Sequence, residues 1–232
     1  MLFPAASDSA AARNTGIQPR ETAMGSLAPR AAGALLLAVT LLAGCGGPPK
    51  TTAYRDPAYQ RDPLNLVPFA IAPVPIAGPR GEGLDHGMER AFSDTPGVQI
   101  RNQPSVMRQR LNGDHDLLWS INRVLAEKYT PQDLAAGPNL QSVVTAKQIE
   151  TLRKVTGDAV LFLLPVEMAT EAAGGGTRGH ALYRVYDLES GRLLLQSSVE
   201  VTVPEAGETG ERKALVQLVL QVQADFKQRL LS

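Results

Sequence analysis

The chain of 232 residues has a single cysteine, Cys45, so a disulfide framework and a cysteine-ligated metal centre are both excluded. Aromatic residues make up 5% of it, which leaves Leu, Val and Ala to fill the core of any domain. Net charge is absent as well, with 23 Lys+Arg against 23 Asp+Glu. The three basic and two acidic residues ahead of Cys45 leave 20 and 21 in the rest. That balance gives no electrostatic case for nucleic acid or for anionic headgroups. Motifs of hydrolytic chemistry are missing too: neither a Gly-x-Ser-x-Gly elbow nor a His-Glu-x-x-His helix occurs. Gly174–Gly179 is rich in glycine, but no Gly-Lys-Ser/Thr ends it and its spacing fits neither nucleotide fingerprint. No apolar run reaches the roughly 20 residues a membrane-spanning helix needs.

What the chain does have is a short apolar run, Ala31–Ala43, flanked by Arg30 and ended by Leu42-Ala43-Gly44-Cys45. The run has the length of a signal-peptide apolar region. Gly46-Gly47-Pro48-Pro49 stops any helix immediately after it, and small residues precede the cysteine. The stretch resembles the signal peptide and lipobox of a bacterial lipoprotein. The resemblance implies cleavage between Gly44 and Cys45 and acylation of Cys45 by chains such as palmitate. It also implies attachment to the periplasmic face of the outer membrane, since Gly46 replaces the Asp that marks inner-membrane retention in enterobacteria. Two or three acyl chains, at about 0.8 kcal/mol per buried methylene, hold such a protein permanently where one chain would not. Met24-Gly25-Ser26-Leu27-Ala28-Pro29-Arg30 reads as a normal signal start, so Met24 is the expected first residue and the first 23 an overhang. With its sulfur acylated, Cys45 leaves no thiol for catalysis.

The expected organisation is a signal region over 1–44, a lipidated flexible tether over 45–64, and one periplasmic α/β domain over 65–232. Gly and Pro punctuate the tether, and Tyr54 and Tyr59 are its only aromatic side chains. Phe69–Ala72 reads as a first core strand with Pro68 and Pro73 at its ends. Leu84, Met88, Ala91 and Phe92 follow a helical stripe, and Val98–Ile100 is a short second strand, completing a βαβ unit. Residues 104–144 form a helical insertion, with a helix over Asp114–Tyr129 and a brief one begun by Thr130-Pro131. Trp119 is expected to anchor a core or hinge. Thr145 and Gln148 form a capping box for a helix ended by Gly157. Ala159–Val166 is the central strand, Gly174–Gly179 a flexible tip, and His180–Leu188 with Arg192–Val203 a hairpin. A long helix over Glu211–Leu231 buries Leu215, Leu218, Val219, Val222, Phe226 and Leu230, and is a candidate oligomer contact. The fold class is α/β (α+β mixed): one mixed sheet of about five strands, a parallel βαβ core and a C-terminal antiparallel hairpin.

Three marks carry a further resemblance: Phe69–Pro73, Val155-Thr156-Gly157-Asp158-Ala159-Val160, and Val185-Tyr186-Asp187-Leu188-Glu189-Ser190-Gly191-Arg192. They are similar to those of the curli-secretion-channel lipoprotein, the lipoprotein activators of penicillin-binding proteins, and the amino-terminal domain of the Tol-system beta-propeller protein. The resemblance implies a non-enzymatic envelope protein that binds a protein partner. The chain departs from the channel-forming member, because Ala172–Arg178 is shorter than the 9–11 residues of a spanning strand, and no pore is expected. Alternatives are an auxiliary lipoprotein of a transporter, marked by an apolar groove, and an envelope hydrolase built from Ser93, Ser105, Ser120, Asp114, His86, His115 and His180. His115 between Asp114 and Asp116 reads as a helix N-terminus rather than a metal ligand. No catalytic residue, cofactor or metal is expected, and the partners are the bilayer and an unidentified envelope protein.

Overall fold

A computed structural model describes residues 51–60 and 66–232. Met24, the apolar run and Cys45 with its cleavage site lie outside the described residues. Among the described residues no helix is long and apolar enough to cross a membrane.

In chain order the elements are β1 (Thr51–Arg55), β2 (Val67–Ile71), α1 (Gly78–Ser93), β3 (Val98–Asn102), α2 (Pro104–Gly113), α3 (His115–Ala126), α4 (Pro131–Ala136), α5 (Ala146–Val155), β4 (Leu161–Ala173), β5 (Gly176–Asp187), β6 (Leu193–Val203) and α6 (Gly207–Phe226), which ends in a π-turn over Lys227–Leu231. The strands form one mixed sheet in the order β1-β6-β5-β4-β2-β3. β2 pairs in parallel with β3 and β4, and the remaining pairs are antiparallel.

Both faces of the parallel part of the sheet, around β2 and the first half of β4, are covered, as a parallel core requires. On one face α1 and α6 pack on Phe69, Ile71, Leu163 and Val185. Phe69, Phe92 and Phe226 stack there with ring centroids 5.1–5.5 Å apart. On the other, α2, α3 and α5 cover Phe162, Leu164 and Tyr186. The expected stripe of the terminal helix is buried in full, from Leu215 to Leu230. The Thr145–Gln148 capping box forms as read, and Thr130 makes a second one with Asp133.

The differences have physical causes. The sheet has six strands because Thr51–Arg55, within the stretch read as tether, pairs with β6. Asp56 secures its end: its amide donates to the Leu194 carbonyl at 2.8 Å and its buried carboxylate takes Arg192 at 2.7 Å. Tyr54 and Tyr59 each pack against one of the two cores. Pro68 lies inside β2 rather than at its end. Its carbonyl accepts from the Val160 amide at 2.9 Å, before the β2–β4 ladder begins at Phe69 and Leu161, so no ladder donor is missed. The helical insertion begins with α2, for which the sequence shows no stripe and which buries only Pro104, Met107 and Leu111. The turn at the tip is Gly174-Gly175 alone, with φ of 57° and 89°, and β5 begins at Gly176. Trp119 is not a core anchor. It is 52% exposed, with the Arg123 guanidinium 4.9 Å above its ring.

Two buried tyrosines give the fold a pH dependence. Tyr183 donates to the Asp225 carboxylate at 2.8 Å beneath α6. Burial first, then the Asp225 charge, push its phenol far above the ordinary value. Burial does the same to Tyr186. The folded state therefore holds these protons more tightly than the unfolded chain, whose phenols ionise from about pH 10. Stability is full below that pH and falls as pH rises above it, by about 1.4 kcal/mol per pH unit for each tyrosine. Urea midpoints measured from pH 8 to 11 are expected to show this decline, and Tyr183→Phe should remove about half of the slope.

Candidate functional site: the open face of the sheet

The distal halves of β4, β5 and β6 run past the helices and leave one face of the sheet open. A bulge between Pro165 and Glu167 sets which side chains appear there. Before it Leu164 lies opposite Arg184; after it Glu167 lies opposite Leu182. The one extra residue, Val166, re-aims the strand, so that Glu167, Ala169 and Glu171 face outward while Met168 enters the core. A proline is tolerated in this central strand because the ladder is already interrupted at the bulge.

Glu167, Leu182 and Ser198 then form one row across three strands. His180, two residues along β5, joins the row. Its Nε2 lies 2.8 Å from Ser198 Oγ and its Nδ1 3.9 Å from Glu167 Oε1. At the boundary with the helical layer stands Arg184, 2% exposed. Its Nε donates to Gln196 Oε1 at 2.9 Å, Nη1 to the Val124 carbonyl at 2.8 Å and Nη2 to the Glu127 carbonyl at 2.5 Å. The guanidinium thus closes the C-terminus of α3, where the helix dipole favours a cation. Tyr129 covers it at 4.5 Å. Between these groups lies an open depression of about 440 Å³, lined among others by Lys128, Val166, Leu182 and Gln196.

The serine–histidine contact has the reach of a nucleophile–base pair, but the rest of that machinery is missing from the row. At 3.9 Å the Glu167 oxygen is too far to hydrogen-bond the imidazole. β6 has a strand on each side at Ser198, opposite Thr52 and Leu182, so the Ser198 amide belongs to the ladder and not to an oxyanion hole. What the face offers is a flat set of donors and acceptors around Leu182.

The other hydrolase candidates do not converge. Ser105 donates through its hydroxyl to Glu89 Oε1 and through its amide at 3.1 Å, while His86 Nδ1 is 3.1 Å from Glu89 Oε2. The carboxylate therefore lies between serine and histidine, the wrong order for activating the hydroxyl. Burial alone would raise the Glu89 carboxyl, but the hydrogen bonds from Ser105 and His86 hold it below its ordinary range. Ser93 and Ser120 bond backward to the Arg90 and Asp116 carbonyls of their own helices. Asp114 caps α3 by accepting from the Leu117 amide at 2.9 Å, and Asp116 stands in its first turn, as read around His115. Among the described residues no group of three His, Cys, Asp or Glu could hold a metal.

Ser198, Glu167 and Arg184 escape a reading of the sequence. Their one signal is a charged residue inside an apolar alternation, Leu182-Tyr183-Arg184-Val185, and the pairing that makes a row of them depends on register.

No protein-family model matches the chain, and no curated relative does. Among solved structures it is similar to the PelC dodecamer from Paraburkholderia phytofirmans, at 11% identity and a TM-score of 0.40 over 79% of this chain and 98% of that one. It is similar to lipoprotein GNA1162 from Neisseria meningitidis, at 13% identity and 0.32 over 68% and 99%. A third is the hypothetical protein CT253 from Chlamydia trachomatis, at 9% and 0.36 over 68% and 96%.

Proposed function

We propose that this chain is a lipid-anchored envelope protein, held to the outer membrane through Cys45, that binds another protein with the open face of its sheet and performs no catalysis. The observation that carries the reading is the uncovered row Glu167–Leu182–Ser198 with His180, on a sheet whose opposite face is packed under α1 and α6. The interior supports it. Between α3, α5 and the sheet the void is about 10 Å³, no more than a single water would fill, which leaves no room there for a lipid tail and weighs against a lipid-transporter accessory.

The test is site-specific photocrosslinking of the acylated protein in its native membrane. A crosslinker at Gln196 or Glu200 is expected to give one discrete protein adduct, at least fivefold above that from Val216 on the far side of α6, and Leu182→Asp should abolish it. Equal adducts from all three positions would sink the reading.

The short Ser198–His180 contact favours hydrolysis as the second reading, and it is separately testable. Incubation with a fluorophosphonate is expected to leave Ser198 unmodified. Labelling of Ser198, together with ester turnover lost in Ser198→Ala, would replace the binding role by a hydrolase.

A further inference from the structure

We infer that the acylated protein stands on the bilayer tip down, with the end of the β4–β5 hairpin, Ala172–Gly175, at the headgroup surface. The inference rests on the lipidation of Cys45 proposed above and deepens it. Its physical basis is the position and direction of β1.

From Cys45 to Thr51 the chain reaches at most about 20 Å, at roughly 3.3–3.6 Å per residue. That length confines the attachment point to a sphere around Thr51, and the sheet register says what lies within it. Thr51 pairs with Val199 and Arg55 with Leu195, so going backward from Thr51 the chain heads toward rising numbers in β6. The end of β6 in that direction is Val203, opposite Thr177, and β5 meets β4 there through Gly174-Gly175. From the level of Val199 to that of Val203 is four residues, about 13 Å of strand. The tip end of the sheet is within reach with slack to spare. In the other direction Leu193 lies six residues from Val199, about 20 Å, and the turn at Glu189-Ser190-Gly191 lies beyond it. To bring that end to the membrane the tether would have to double back along the sheet, fully drawn out.

The chemistry of the tip fits a headgroup surface. Ala172-Ala173-Gly174-Gly175-Gly176 carries no charge. Three carboxylates near it are ion-paired, Glu171 with Arg178 at 3.2 Å, Glu211 with Arg80 at 3.0 Å, and Glu205 with Lys213, while Glu208 shares its surroundings with Arg80 and Arg212. Contact with an anionic membrane therefore meets little net repulsion. Alanine and glycine offer too little apolar area to drive insertion, so the tip rests on the surface. With strands β4–β6 rising from the membrane, the open face points sideways, toward partners anchored in the same leaflet.

The experiment uses the chain's own cysteine count. Once Cys45 is acylated the protein has no free thiol, so one introduced cysteine is the only labelling site. Ala172→Cys and Gly175→Cys report the tip and Glu189→Cys the opposite end. Ala172 lies in a regular strand and carries the test if the Gly175 variant folds poorly. The membrane-purified proteins are labelled with a fluorophore and reconstituted in phosphatidylethanolamine/phosphatidylglycerol vesicles carrying a headgroup nitroxide. The tip probes are expected to be quenched at least twofold more than the Glu189→Cys probe. Equal quenching, or stronger quenching at Glu189→Cys, overturns the orientation. Failure of the lipidation reading looks different: the protein does not float with the vesicles and Cys45 itself takes up the label. That result removes the premise and the inference with it.

Discussion

Replacing Arg184 by alanine is expected to lower the stability of the domain by about 3–5 kcal/mol, the range for losing a large buried side chain and orphaning its partners. The loss has two sources. A side chain 2% exposed leaves a void between β5 and α3, and the Val124 and Glu127 carbonyls with the Gln196 amide oxygen lose their donors. No carboxylate is among the guanidinium's hydrogen-bond partners, so no buried anion is stranded by its removal. That distinguishes it from a buried ion pair, where the remaining charge dominates the cost. Arg184→Met separates the sources by nearly keeping the volume while removing every donor. It should still cost about 2–3 kcal/mol, and Arg184→Lys less than either. Urea unfolding of the three variants measures this. A loss below 1 kcal/mol in Arg184→Met would mean that the hydrogen bonds to α3 contribute little.

Asp85→Ala is expected to have the second largest effect, about 2–4 kcal/mol, somewhat under the range for breaking a fully buried pair because Arg108 keeps some access to water. Asp85 in α1 is fully buried, accepts from the Val74 amide at 2.8 Å and pairs with Arg108 Nε at 2.5 Å. Arg108 in α2 in turn donates to the Ile76 and Val74 carbonyls at 3.1 and 2.9 Å. The pair thus pins the loop that leaves β2, and α1 can approach that loop closely because residue 81 is glycine. A Cβ at Gly81 would stand 1.8 Å from the Ile76 carbonyl oxygen. Removing the carboxylate orphans the Val74 amide and leaves Arg108 without its counter-charge. Arg108→Met in the Asp85→Ala background should recover part of the loss by removing that stranded cation. Denaturant unfolding of the single and double variants gives the coupling.

Local signals in the sequence carried much of this architecture, and the reason is physical. Capping boxes, helix stripes and glycine stops act over three or four residues, so Thr145–Gln148, the α6 stripe and the acidic start of α3 could be read where they stand. What stayed illegible depends on pairing across distance. β1 has little apolar pattern of its own and becomes a strand through β6 and the Asp56–Arg192 pair. α2 buries too few residues to show a stripe. The row Glu167–His180–Ser198 joins residues 13 and 18 positions apart, and a one-residue slip at the Pro165 bulge would send Glu167 to the core face. Arg184 looks in sequence like any charge at a wet strand position. Only the placement of α3 over it turns it into a buried cap.

Everything proposed about location and orientation depends on Cys45, and intact mass spectrometry of the protein extracted from its own membrane tests that most directly. The expected chain begins at Cys45, with its sulfur in a thioether to a diacylglyceryl group and its new amino terminus either free or carrying a third acyl chain as an amide. A chain that retains residues ahead of Cys45, with the thiol free to react, would contradict it.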